Sequence, residues 1–170
     1  GLVGGHCIAI DPYYMTYKAK KVGINPKLIL SGQNINNYIP IHIAKRVSQK
    51  INLNKKNKKR ILVLGITFKE NCPDIRHSKV FDIIKRLKKN GGLVDVYDPW
   101  IEKKDLEAKI KFNLLSNLQT KRRYDAIILA VAHNYFKKIG FKRIKKFLKK
   151  DSFLYDVKSI FKNEIGVECL

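Results

Sequence analysis

The chain has 170 residues, with 36 Lys or Arg against 14 Asp or Glu and a formal net charge of +22. That length suits one domain and an appendage, and three cysteines without CxxC spacing exclude both a zinc site and a disulfide framework. No apolar run reaches the length a bilayer needs and no signal-peptide pattern occurs, so the expectation is a cytoplasmic protein with reduced thiols and no metal.

The chain opens on GLVGGHCIAIDPYY, with Cys7 behind a glycine-rich run and Asp11-Pro12 four residues on. Asp suits an N-cap and Pro the first helical position, so Cys7 is expected on a loop entering a helix N-terminus, a setting that favours a thiolate. Gly4 and Gly5 admit the close approach of a backbone, a cofactor or a substrate. Spacing alone leaves Cys7 open between a nucleophile and a small buried residue in a turn. The chain does not begin with Met and Gly1 sits in mid-motif, so a fragment lacking an upstream part is the expectation.

From Asn25 to Leu53 one long helix is predicted: Leu28, Ile35, Ile39, Ile43, Val47 and Ile51 recur at near-helical spacing, and Pro40 should kink it. It reads equally as a bridge between domains or subunits and as an ordinary amphipathic helix. The polar run Asn54–Lys59 marks a boundary, giving a division into residues 1–58 and 59–170.

Beyond it strands and helices alternate. Strands are predicted at Arg60–Gly65, Leu93–Tyr97, Asp125–Val131 and Phe153–Val157, with a weaker one at Lys109–Asn113. Helices are predicted at Lys79–Asn90, with Gly91-Gly92 as its stop, and at Phe141–Lys149. The expected fold class is α/β: a Rossmann-like, doubly wound parallel sheet preceded by a long connecting helix.

Ligands of such a sheet bind beyond the carboxyl ends of its strands. That rule selects Thr67, Phe68, Lys69, Asp74, Arg76 and Ser78 after the first strand. It selects Asp98-Pro99 after the second, Ala132-His133-Asn134 after the third and Asp156 with Lys158 after the last. Lys69 and Arg76 at one edge suit a pyrophosphate. Taken singly, Lys69 and Arg76 read as solvated charges, Asp98-Pro99 as a turn and His133 as a helix-start or core residue. No GxGxxG follows any predicted strand, so this sheet carries no dinucleotide fingerprint.

The segment GGHCIAIDPYYMTYKA resembles the active-site segment of the UDP-glucose/GDP-mannose dehydrogenase family, most closely its UDP-N-acetylhexosamine 6-dehydrogenase branch, which serves bacterial surface polysaccharides. LGITFKENCPDIRHSK followed by DVYDPW resembles the UDP-binding domain of the same enzymes. The resemblance implies an NAD-dependent oxidation of a UDP-N-acetylhexosamine or UDP-glucose at C6, from alcohol to carboxylate. It implies Cys7 as the nucleophile that forms a thiohemiacetal and then a thioester, and Asp11 as the residue that activates or places water. Gly4, Phe68, Lys69 and Lys158 are implied to contact the UDP-sugar. Lys158 stands in Asp156-Val157-Lys158-Ser159, where many relatives carry Arg. Cys7, Ile8, Ala9 and Ile10 are implied to flank the nicotinamide, and Arg76 to reach the NAD. The NAD domain itself would lie upstream of Gly1, and without it no turnover is expected. A homodimer through the 25–53 helix is likewise implied.

The charge gives a second reading, a basic nucleic-acid-binding module on a Rossmann-like fold. Against it, 29 Lys stand beside 7 Arg, whereas nucleic-acid clamps favour Arg forks, and no RNA-binding aromatic signature or helix-turn-helix pattern occurs. Nucleic acid and membrane are therefore not expected partners, and the surplus charge would steer an anionic sugar nucleotide. A third reading is a non-catalytic nucleotide-binding domain.

Overall fold

Ile61 and Val63 face one side of the central sheet and Leu62 and Leu64 the other, and all four are fully buried. Continuous apolar runs of this kind are what a parallel sheet covered on both faces requires. The structure, a computed structural model, describes residues 2–102, 104, 106, 112–118 and 122–170.

Two helices come first, α1 (Asp11–Lys21) and α2 (Lys27–Lys50). The α/β part follows as β1 (Arg60–Leu64), α3 (Val80–Lys89), β2 (Leu93–Tyr97), β3 (Asn113–Leu114), β4 (Tyr124–Leu129), α4 (Asn134–Lys145), β5 (Leu148–Asp156) and β6 (Val167–Cys169). The six strands form one parallel sheet in the order β3-β2-β1-β4-β5-β6. The chain moves outward from β1 through β2 to β3, then returns to the other side of β1 for β4, β5 and β6. The crevice between the carboxyl ends of β1 and β4 is therefore the topological switch point, where such sheets bind ligands.

One face of the sheet packs Ile61, Val63, Val94, Val96, Ala126, Ile128 and Phe153 against Ile83, Ile84 and Leu87 of α3 and Ile43, Ala44 and Val47 of α2. The other packs Leu62, Leu64, Ile127, Leu129 and Leu154 against Phe136, Phe141 and Ile144 of α4. Only the second half of α2 joins the core; in its first half Leu28, Ile35 and Tyr38 stay exposed, Leu28 at 88%. The helix is unbroken at Pro40, which is buried.

Several boundaries differ from expectation for local reasons. Helix α1 begins at Asp11 itself; Ile10 occupies the cap position, with no side-chain bond, and Asp11 is placed in the first turn. Helical structure already begins at Asn134, and Gly140 (φ 74°, ψ 163°) breaks it, so the helix expected from Phe141 is the part of α4 that follows the kink. Lys149, expected on that helix, lies in β5, which is also longer than predicted. β6 carries no strand signal in the sequence, because its three residues are too few to show a period. Of the weak strand expected at Lys109–Asn113, residues 109–111 lie outside the described residues, and β3 is the pair Asn113–Leu114.

Candidate functional site

The switch-point crevice is built around one buried carboxylate. β1 is followed by Gly65, whose φ of +86° turns the chain sharply; a Cβ there would lie 2.5 Å from Cβ of Val131. The turn delivers the N–H groups of Ile66 and Thr67 to Oδ2 of Asp98, at 2.7 and 3.3 Å, while Oδ1 accepts from Trp100 N–H at 2.8 Å. Burial alone would raise the Asp98 pKa, but the bond from His133 and these backbone N–H groups outweigh it and hold the carboxyl below its ordinary value.

His133, the residue before α4, is fully buried. Its Nδ1 accepts the Asn71 N–H at 2.9 Å, so the ring's single proton sits on Nε2. Nε2 lies 3.1 Å from Asp98 Oδ2 and 3.1 Å from Thr67 Oγ1. The Thr67 hydroxyl in turn donates to the Lys69 carbonyl at 2.9 Å. Asn71, in the left-handed region at φ 54°, accepts the Asn134 N–H with its Oδ1 at 3.0 Å, closing the loop onto the start of α4.

Between these fixed points the loop presents Phe68 and Lys69. Lys69 is exposed, with Nζ 5.3 Å from the centroid of the Phe68 ring. Across the crevice, buried Asp156 accepts the N–H groups of Lys158 (3.0 Å) and Phe161 (2.7 Å), shaping the turn that carries exposed Lys158. Lys158 Nζ lies 3.6 Å from Glu70 Oε1. Burial acts to raise the Glu70 pKa, yet its backbone hydrogen bond and Lys158 outweigh that and lower it.

The cysteine segment is joined to this same edge. Gly5 (φ +86°) donates its N–H to the Arg76 carbonyl at 3.2 Å, and a Cβ on Gly5 would lie 2.8 Å from the Phe68 ring. A Cβ on Gly4 would lie 2.5 Å from the His77 carbonyl oxygen. What the two glycines admit is therefore the chain's own Phe68 loop, and Gly4 itself is buried. Cys7 follows at the surface, its carbonyl accepting Ile10 N–H (3.0 Å) and Asp11 N–H (2.8 Å) as α1 begins. Ile8 is 70% exposed. Ile8 and Ala9 line a groove of about 650 Å³ whose other walls include Gln33, Asn36, His77 and Lys79. Ile10 is half-buried and Asp11 exposed.

Arg76, also exposed, is held by Asp74 through Nε at 3.1 and 3.0 Å and through Nη2 at 2.6 Å. That bond raises the arginine pKa and lowers the aspartate's. The structure thus brings Gly4, Phe68, Lys69 and Lys158 to one rim and sets the Cys7–Asp11 turn against it through Gly5. Sequence reasoning passed over Asn71; it selected Asp98 and His133 at the carboxyl ends of strands, but taken singly they read as a turn and a helix-start or core residue. Among the described residues, no group of three His, Cys, Asp or Glu is placed to hold a metal, and no helix is long and apolar enough to cross a membrane. The first strand–helix turn, GITFKEN, has one glycine, so this sheet offers a dinucleotide no glycine cradle. The Arg76 guanidinium is exposed, and the Cys7–Ile10 turn is largely apolar.

Residues 62–163 match the UDP binding domain of the UDP-glucose/GDP-mannose dehydrogenase family, and residues 1–38 match that family's central domain. The chain is 40% identical over 169 residues to the UDP-N-acetyl-D-glucosamine 6-dehydrogenase of Salmonella typhi, covering 96% of this chain and 39% of that protein. It is 42% identical over 163 residues to the enzyme of the same name from Pseudomonas aeruginosa, covering 93% and 38%. The fold matches the NDP-N-acetyl-D-galactosaminuronic acid dehydrogenase of Methanosarcina mazei with a TM-score of 0.81 at 21% identity, over 99% of this chain and 38% of that one. The UDP-D-ManNAc dehydrogenase of Pyrococcus horikoshii gives 0.77 at 26% identity, over 98% and 38%. The chain therefore spans less than two-fifths of the length of each of these relatives.

Proposed function

The chain belongs to the UDP-glucose/GDP-mannose dehydrogenase family, and from that membership we propose that it is the substrate-binding, nucleophile-bearing part of an NAD-dependent nucleotide-sugar 6-dehydrogenase. The substrate class is a UDP-N-acetylhexosamine and the product its uronic acid, a building block of surface polysaccharide. The reading is carried by the junction of Gly5 with Phe68 and Arg76, which puts the cysteine turn and the cationic rim on one side of the sheet. Residues 59–170 grip the nucleotide. Residues 1–58 carry the nucleophile and, through the exposed apolar residues of α1 and the first half of α2, face a second protomer.

Lys69 and Lys158 neutralise the pyrophosphate and Phe68 packs on the nucleotide, while Gly4, buried against the Phe68 loop, lets that loop close on the cysteine segment. Arg76 and the Ile8–Ile10 turn hold NAD, which supplies the hydride acceptor for both oxidations at C6. The Cys7 thiol adds to the C6 aldehyde, forming a C–S bond and a thiohemiacetal; this restores a C–H carbon bearing an oxygen, from which hydride is lost to leave a thioester. Water placed by Asp11 then cleaves the C–S bond, releasing the carboxylate and returning the thiol. Backbone N–H groups near Cys7 stabilise the oxyanion formed at each addition. This chain alone is not expected to turn over.

Calorimetric titration with UDP tests the reading. Binding is expected in the unmodified protein and a clear loss of affinity in Lys69→Ala. No binding, or binding unchanged by that substitution, refutes it. A steeply salt-dependent affinity for DNA or RNA in the absence of any UDP affinity would replace it with the nucleic-acid module.

A further inference from the structure

Phe68 and Lys69 point from a loop that contributes no regular hydrogen-bond ladder of its own, yet the chain between Thr67 and Asn71 is pinned at both ends. One residue makes both attachments. His133 receives the Asn71 N–H on Nδ1 at 2.9 Å and directs Nε2–H to Asp98 and Thr67, each at 3.1 Å. Through Thr67 Oγ1 the attachment continues to the Lys69 carbonyl at 2.9 Å. Asp98 anchors the same loop by its backbone at Ile66 and Thr67. Asn71 returns the connection by accepting the N–H of Asn134, next to His133. The ring, the carboxylate and the Thr67 hydroxyl are all removed from solvent, so these bonds do not compete with water.

From this geometry we infer that His133, with Asn71 as its second hold, is the positioning residue of the nucleotide loop: it fixes where Phe68 and Lys69 meet the uridine diphosphate. The inference rests on the functional reading above. His133 has no exposed atom to offer a ligand and acts only through the backbone it holds. A buried histidine whose only duty is to fill space needs none of the three bonds. Here each of them ends on the loop or on the aspartate that anchors it.

The experiment uses the full-length protein and follows NADH formation while UDP-sugar and NAD+ are varied separately. His133→Ala is expected to raise KM for the UDP-sugar about tenfold, the size of one lost buried hydrogen bond, with KM for NAD+ unchanged. His133→Gln, whose amide nitrogen still reaches Asp98, recovers part of that loss. Asn71→Gly keeps the left-handed turn and removes only the bond to Asn134, so it raises the same KM by a smaller factor and remains informative if His133→Ala does not fold. Unchanged UDP-sugar KM in these variants, or a fall in the active fraction with both KM values intact, overturns the inference while a weakened Lys69→Ala leaves the functional reading standing. Absence of UDP affinity in the unmodified protein overturns both.

Discussion

Asn36 on α2 holds both polar groups of Val3: the Val3 N–H donates to Asn36 Oδ1 at 2.8 Å, and Asn36 Nδ2 donates to the Val3 carbonyl at 2.7 Å. One side-chain amide thus pairs with an extended residue 33 positions away as a neighbouring strand would. Among the described residues the segment before Cys7 joins no strand, and the bond from Gly5 to Arg76 is its next attachment. Asn36→Ala removes both bonds in an exposed setting, where each contributes about 1 kcal/mol or less. The expected result is faster hydrogen exchange at Val3 and Gly5 with a nearly unchanged global melting temperature. Asn36→Asp, which keeps the acceptor but sets an oxygen against the Val3 carbonyl, should fall no closer to the wild type than Asn36→Ala.

Three glycines divide by sign on substitution by alanine, Gly4 and Gly5 opposing a side chain and Gly32 accepting one. At Gly5 the left-handed φ of +86° and the Phe68 ring at 2.8 Å both oppose a side chain, and a loss of roughly 1–3 kcal/mol is expected. At Gly4 the obstacle is the His77 carbonyl at 2.5 Å, which is backbone and moves only with the loop. At Gly32, inside α2, a Cβ meets nothing within 4 Å, and alanine should stabilise by about 0.5–1 kcal/mol. Urea midpoints of the three variants read the signs directly; a stabilised Gly5→Ala would mean that the cysteine segment does not lie on Phe68.

The strands were legible because β1, β2 and β4 are apolar runs bounded by turn residues, and the expectation that Lys69 and Lys158 lie at carboxyl ends of strands followed from such runs alone. The breaks came where tertiary contact decides. The helical turns before Gly140 show no clear period of their own, yet Phe136 there enters the same core as Phe141 and Ile144 after it. The bonds of His133 connect it to residues 35 to 66 positions away, a separation at which spacing carries no information. The pairing of Gly4 and Gly5 with the Phe68 loop was equally invisible: the sequence says that something comes close to a glycine, not what.

Cys7 is exposed, whereas Cys72 and Cys169 are both half-buried. A limiting amount of iodoacetamide is expected to label Cys7 first, as peptide mass spectrometry would show, and bound UDP-sugar should slow that labelling. In the full-length protein Cys7→Ala should abolish formation of the uronic acid. Undiminished NADH production by that variant would remove Cys7 from the chemistry.

Acid should loosen the site before it reaches the rest of the core, and the sign follows from Asp98. Burial opposes its charge, but His133 and the N–H groups of Ile66 and Trp100 outweigh it, so its folded pKa lies below the unfolded value of about 3.9. A carboxylate lowered in this way contributes stability that is complete above the unfolded pKa and is lost as pH falls through the folded one. Asp125 and Glu70 are shifted in the same direction: in both, burial is overcome, by Lys149 and the Arg60 N–H in one and by a backbone bond and Lys158 in the other. These groups therefore leave the melting temperature level between pH 7 and pH 5 and draw it down below about pH 4. Asp98→Asn lacks the charge that His133 and the N–H groups stabilise and has no proton to take up, so it should be less stable at neutral pH and lose less on acidification. Melting curves at pH 7, 5, 4 and 3 check both parts, and an acid slope equal to that of the unmodified protein would show that the Asp98–His133 pair does not hold the two strand ends together.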